Sequence, residues 1–205
     1  MPSDYEIIPS FIRRFSSVRR YNNIPMIKDE NIAEHSAQVA LTCIMFYSRY
    51  IDEEAKAHID LHKVTYVSII HDIEEVITGD IPRSTKYSSE LTQLALKSVE
   101  NLAYERIEEI FGIRRVVPNP YEKSLIKLAD IYLVLVKTYS ELLMGNKEVS
   151  EIVDEIYYHL EKDPEITEAV EKYPKVRNEL LLPLLGKCES MHNSDNFSYS
   201  KLIRR

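Results

Sequence analysis

The stretch "YEKSLIKLADIYLVLVKTYSELLMG", residues 121–145, is apolar on nearly every face through its middle. A helix of that kind has no side to offer water, so it belongs at the centre of a bundle. One residue interrupts the pattern. Asp130 stands between Leu128, Ala129 and Ile131, with Ile126 and Val134 a turn away on its own face. An ionised carboxylate in that setting is costly unless a cation or a metal pairs with it.

The rest of the chain supplies helices to surround this one. From Ile32 the pattern "AEHSAQVALTCIMFYSRY" runs for over four turns with Val39, Cys43 and Phe46 on one stripe. The segment "DLHKVTYVSIIHDIEEVIT" reads as a single long helix over 60–78, its isoleucines pressed into the bundle. Further helices are expected over 5–17, 52–58, 88–111, 148–162, 165–173 and 175–185. Gly79, Gly112 and Gly145 each follow a helical segment, where a left-handed cap residue belongs. Strand-like alternation and hairpin signals are scarce, so the fold class is all-α, a helical bundle. Residues 1–187 are expected to form one domain, and 188–205 a polar C-terminal tail expected to be mobile.

A net charge of −7 argues against a nucleic acid polymer or an anionic membrane as partner, because both need a broad basic face. Arg13, Arg14, Arg19 and Arg20 nonetheless fall within eight residues, which is either a solvated helix end or a local anion site. Two distant cysteines, Cys43 and Cys188, fit reduced thiols, and Cys43 reads as core. No signal-peptide pattern and no run of about 18 apolar residues is present, so a cytoplasmic protein is expected.

Three positions carry acid or imidazole where a core should be. His35 falls in the first turn of a buried helix, His71 and Asp72 follow Val67, Ile69 and Ile70, and Asp130 lies in the central helix. One divalent metal accounts for His35, His71, Asp72 and Asp130 together; two imidazoles and two carboxylates suit zinc, manganese, cobalt or iron. Such an ion lowers the pKa of a water it binds. Glu75 projects to the same side one turn on, Glu74 is rotated towards the surface, and Asp80 sits at the rim or caps the next turn. Arg20, fifteen residues before His35, supplies the cationic donors that a phosphate ester needs. His58 and His62 read as surface residues.

These residues spell a resemblance. "AEHS", "HDIEE" and "KLAD" resemble the H...HD...D signature of the HD-domain metal-dependent phosphohydrolases. With "RRY" upstream, "HDIEEVITGDIP" followed by "KY", and "KLADIYLVLVKTYSELLMGN", residues 10–185 look like the bacterial HD-domain 5'-deoxynucleotidases. The resemblance implies an all-α HD-domain helical bundle, a homodimer or higher homo-oligomer, with one divalent metal (Co, Mn, Zn or Mg) on His35, His71, Asp72 and Asp130. It implies Arg20 on the phosphate, Glu75 and Asp80 in proton transfer and in positioning the water or leaving oxygen, and Lys86 near the substrate entrance. Pro82 would line the pocket with Asp80. Tyr21 stands where the family typically has tryptophan, a wall against the sugar that helps exclude ribose.

The function implied is hydrolysis of a deoxyribonucleoside 5'-monophosphate to deoxynucleoside and phosphate. The alternative is a triphosphohydrolase that releases triphosphate from a deoxynucleoside triphosphate, and a lesser one is a non-catalytic nucleotide-binding module. The last predicts loss of a ligand or of the neighbouring carboxylate, and none is lost. No histidine lies between His71 and His159, which argues against a second imidazole-bound metal and an oxygenase.

Overall fold

The computed structural model describes residues 4–86 and 88–192. Its centre is α8, Pro120–Leu143. The helix starts sharply: the Asn119 side chain accepts the N–H groups of Tyr121 and Glu122, Glu122 reaches back to the Asn119 N–H (2.7 Å), and Pro120 opens the first turn. Glu122 is buried and also accepts from Lys63 Nζ (2.6 Å) and the Asp60 N–H (3.1 Å). The start of the central helix is thereby fixed to the start of α4, Leu61–Ile70.

Leu125, Leu128, Ala129 and Leu135 have no accessible surface, as a central helix requires. Against them pack α2, Ile32–Arg49, through Val39, Cys43 and Phe46, and then α9 (Ser150–Lys162) and α10 (Pro164–Lys172). The short α3, Glu53–Lys56, links α2 to α4. A smaller apolar cluster joins Ile70, Ile73, Tyr104 and Ile107 to Phe11, Phe15 and Phe111. It seats α1 (Asp4–Phe15) and α7 (Glu90–Phe111) beneath the segment that carries His71 and Asp72. Gly79, Gly112 and Gly145 all take positive φ at helix ends. Among the described residues there is no strand, and no helix is long and apolar enough to cross a membrane.

Two expectations need correction. The helix expected over 60–78 breaks at His71: α4 stops at Ile70, a turn follows, and α5 is only Glu75–Thr78. The His71 imidazole Nδ1 lies 2.7 Å from the Ser68 carbonyl, and the backbone goes on through short bonds from Ile73 to Ile70 and from Glu75 to Asp72. A side chain competing for a helix carbonyl loosens the regular ladder there. Ile69 and Ile77 face solvent, at 39% and 52% exposure, while Ile70, Ile73 and Val76 are buried.

The C-terminal boundary also moves. After α11 (Pro174–Val176) and one π-helical turn over Arg177–Leu181, α12 runs over Leu182–His192 with Cys188 fully buried. The helix therefore runs past residue 188, where a polar tail was expected to begin; the rest of that segment lies outside the described residues.

Candidate metal and phosphate site

Three separate elements converge beside α8. Asn31 caps α2 by accepting the Glu34 N–H (2.9 Å), which sets His35 inside the first turn and fully buried. Its Nε2 faces Asp130 Oδ1 at 3.1 Å across 95 residues of sequence. His71 caps the end of α4, and its ring centroid lies 5.3 Å from that of His35. One ligand atom from each of His35, His71 and Asp130 lies within 4.8 Å of the others. Asp72 adjoins this group, with Oδ2 3.2 Å from His71 Nε2.

The hydrogen-bonding pattern fits a divalent ion. His71 Nδ1–H donates to the Ser68 carbonyl, which in the neutral ring leaves the lone pair on Nε2, buried and without a hydrogen-bond partner. His35 Nε2 lies 3.1 Å from Asp130 Oδ1, while its Nδ1, 3.5 Å from Glu30 Oε1, is buried without a hydrogen-bond partner. Imidazole nitrogens set against carboxylates suit a cation bound between them, and an imidazole fixed through its other nitrogen, as His71 is, is the usual state of a metal ligand.

Charge in the site is strongly coupled. Burial works against a charged His71, but the neighbouring Asp72 carboxylate outweighs it and raises the imidazole pKa to about 9. Burial likewise opposes the ionised forms of Asp72 and Asp130. Their partners His71 and His35 override it and hold both carboxyls well below the usual range, with Arg20 adding to the effect. Glu75 goes the other way: burial, with Asp72 and Asp80 nearby, pushes it up to about 9, and its Oε2 is buried without a hydrogen-bond partner. Burial raises Asp80 as well, against the pull of Arg20.

Arg20 enters from the loop between α1 and α2. Its Nη1 donates to Glu30 Oε1 at 3.1 Å, with the arginine side chain only 15% exposed. Tyr21 follows with φ +58°, and its N–H donates to Asp80 Oδ2 at 3.0 Å. Asn22 Nδ2 donates to the Asp80 carbonyl at 2.6 Å. Asp80 thus holds the turn that carries Tyr21. Pro82 is half-buried just before α6, Arg83–Lys86.

Other expected residues make contacts of their own. Lys86 Nζ donates to Glu100 Oε1 at 2.6 Å, on α7. Arg19 pairs with Asp29 on the surface, and Arg13 and Arg14 are exposed, so of the four clustered arginines only Arg20 is buried in the site. His58 and His62 are exposed as expected. Glu74, expected at the surface, is half-buried, and burial raises its pKa to about 7.

Sequence reasoning missed two residues. Glu30 is buried between Arg20 and His35. Glu141, fully buried near the end of α8, accepts the Ile27 and Lys28 N–H groups (2.8 and 3.0 Å), Lys137 Nζ (2.8 Å) and Asn146 Nδ2 (2.7 Å). It fixes the loop on which Arg20 and Glu30 sit. The signal available was an acid, Glu141, directly before the apolar pair Leu142 and Leu143.

An all-α bundle that gathers two histidines and an aspartate from three helices, next to a buried arginine, defines an HD-domain hydrolase, and the chain is an enzyme of that class. The profile of the family described as "5'-deoxynucleotidase YfbR-like" matches residues 9–176, and the chain belongs to that family. The 5'-deoxynucleotidase YfbR of Escherichia coli O1:K1 / APEC is 28% identical over 151 residues, covering 67% of this chain and 75% of its own. A 5'-deoxynucleotidase of Cronobacter sakazakii is 26% identical over 149 residues, covering 68% and 74%. Among solved structures, the PH0347 protein of Pyrococcus horikoshii OT3 superposes with a TM-score of 0.60 at 21% identity, over 89% of this chain and 97% of its own. The cyanophage S-2L HD phosphohydrolase DatZ, bound to dA and one catalytic Zn2+ ion, superposes with a TM-score of 0.55 at 16% identity, over 93% and 98%.

Proposed function

We propose that the protein is a metal-dependent 5'-deoxynucleotidase that hydrolyses deoxyribonucleoside 5'-monophosphates, with one divalent ion held by His35, His71, Asp72 and Asp130. The observation that carries this reading is the gathering of His35, His71 and Asp130 within 4.8 Å beside the buried Arg20. Family membership and the dA and Zn2+ of the cyanophage relative support the substrate class and the ion. A divalent ion supplies Lewis acidity, lowering the pKa of water and drawing charge from the phosphoryl oxygens.

The chain's own residues do the rest. Arg20, kept cationic by the acids around it, binds phosphate oxygens and orients phosphorus for in-line attack. A water oxygen bonds to phosphorus as the bond to the 5'-oxygen breaks. Glu75, held protonated by burial and the neighbouring acids, gives its proton to the leaving 5'-oxygen and regains one from the attacking water. Asp80 sets the Tyr21 turn against the sugar, and Pro82 borders the same pocket. Lys86 stands near the entrance on the strength of the family resemblance, held by Glu100.

A triphosphate needs cationic groups beyond the first phosphate. Lys86 is engaged by Glu100 and Arg19 by Asp29, which favours the monophosphate. The reading extends to a cytoplasmic homodimer, supported by the family resemblance and by exposed Leu91, Leu94 and Leu102 on one face of α7. The test is a chromatographic screen of deoxy- and ribonucleoside mono-, di- and triphosphates with Mn2+, Co2+, Zn2+ and Mg2+. Phosphate released from deoxynucleoside monophosphates is expected. Triphosphate released from the triphosphates would overturn the monophosphate reading in favour of its alternative.

A further inference from the structure

We propose that Glu30 is a positioning residue that ties the phosphate-binding arginine to a metal-ligating histidine through a single carboxylate oxygen. The inference rests on the roles proposed above for Arg20 and His35. Glu30 Oε1 lies 3.1 Å from Arg20 Nη1 and 3.5 Å from His35 Nδ1, and the three side chains are 9%, 15% and 1% exposed. A carboxylate so enclosed depends on both partners for its charge balance.

The main chain fixes this meeting. The Arg20 N–H donates to the Glu30 carbonyl at 2.9 Å, and the Ile32 N–H donates to the Val18 carbonyl at 3.1 Å. An isolated antiparallel bridge joins Arg19 to Asn31 between them. Glu30 is thus held against Arg20 by backbone as well as by side chain, one turn before His35 on the same run of chain.

Each contact has a chemical consequence. A carboxylate 3.5 Å from His35 Nδ1, which is buried and has no hydrogen-bond partner, favours the tautomer that leaves Nε2 as the ligand atom and raises its basicity. The same oxygen occupies one guanidinium nitrogen of Arg20 and so fixes the fork that presents its remaining N–H groups to a phosphate. Metal affinity and phosphate affinity therefore share one residue that ligates neither the metal nor the substrate.

The test compares Glu30→Gln and Glu30→Asp with wild type by calorimetric titration, first with Mn2+ and then with inorganic phosphate on the Mn2+-saturated protein. Glu30→Gln is expected to weaken Mn2+ binding about 10- to 100-fold, the usual effect of losing a carboxylate behind a ligating histidine. It is also expected to weaken phosphate binding. Glu30→Asp keeps the charge but withdraws it, and should fall between. In the Zn2+-loaded protein the His35 Nδ1–H proton resonance should move upfield in Glu30→Gln, which a merely structural role would not cause. An unchanged Mn2+ or phosphate constant in a variant that melts like wild type would overturn the proposal. If Glu30→Gln does not fold, Glu30→Asp decides on the same criteria. Wild-type protein that binds both ions yet hydrolyses no nucleotide would sink the functional reading and leave this inference standing.

Discussion

Tyr21 holds φ at +58°, a region that costs an L-residue about 1–2 kcal/mol and is a genuine outlier for a bulky side chain. The strain persists because Asp80 accepts the Tyr21 N–H, Asn22 grips the Asp80 carbonyl, and the Ile24 N–H closes on the Tyr21 carbonyl at 3.1 Å. The Tyr21 hydroxyl is buried without a hydrogen-bond partner, a condition that costs about 1–3 kcal/mol. Tyr21→Phe is therefore expected to be as stable as wild type or more so in urea unfolding. A marked loss of stability would mean that the hydroxyl has a partner in solution. His35, His71 and Asp130 were legible in the sequence because each is a polar residue set in an apolar surround. Glu30 was not, because it lies in the polar run "KDEN" and only the fold shows which of its two acids is buried.

At the scale of elements, α8 serves the site twice. Its middle contributes Asp130, and eleven residues on, about 16 Å along the axis, Glu141 holds the loop that carries Arg20. Lys137 adds a bond to the Lys28 carbonyl, and Asn146 one to that of Pro25 (2.8 Å). Glu141→Ala would leave buried Lys137 without its carboxylate, at a cost of about 3–5 kcal/mol, and would raise KM as the loop loosens. Chemical denaturation and steady-state kinetics measure the two effects. Burial raises the Glu141 pKa, but the Asn146, Lys137 and backbone donors outweigh it and bring the group to about 2, against an ordinary 4.5. A depressed carboxylate stabilises the fold fully above the ordinary value, so this contribution should fade as pH drops from about 4.5 to about 2. Glu141→Gln should flatten the acid limb of the stability profile over that window. The Lys137 pairing is local, but the grip on the loop was not legible, because the bonds from the Ile27 and Lys28 N–H groups span 114 and 113 residues.

Across the whole molecule, the all-α bundle and its central helix could be read from hydrophobic periodicity, since a helix apolar all round has only one place to go. The break at His71 could not, because the apolar period runs on through Ile73 and Val76 while the imidazole takes the Ser68 carbonyl. A ligand that binds only the folded chain adds stability by mass action, about 2.7 kcal/mol at a concentration 100 times its Kd. Saturating Mn2+ is accordingly expected to raise the Tm of wild type, and a chelator to reverse it. Asp130→Ala should show neither shift and should lose phosphatase activity; a variant that kept both would remove Asp130 from the site.

The 95 residues between His35 and Asp130 also set an order in time. Isolated helices form within about a microsecond, but closing a chain over so long a span comes later. During synthesis α2 and α4, which carry the two imidazoles, leave the ribosome before α8. They have no carboxylate from α8 to meet until that helix follows. The nascent protein is therefore a bundle in waiting, and its chemistry begins only when the last of its three contributors docks.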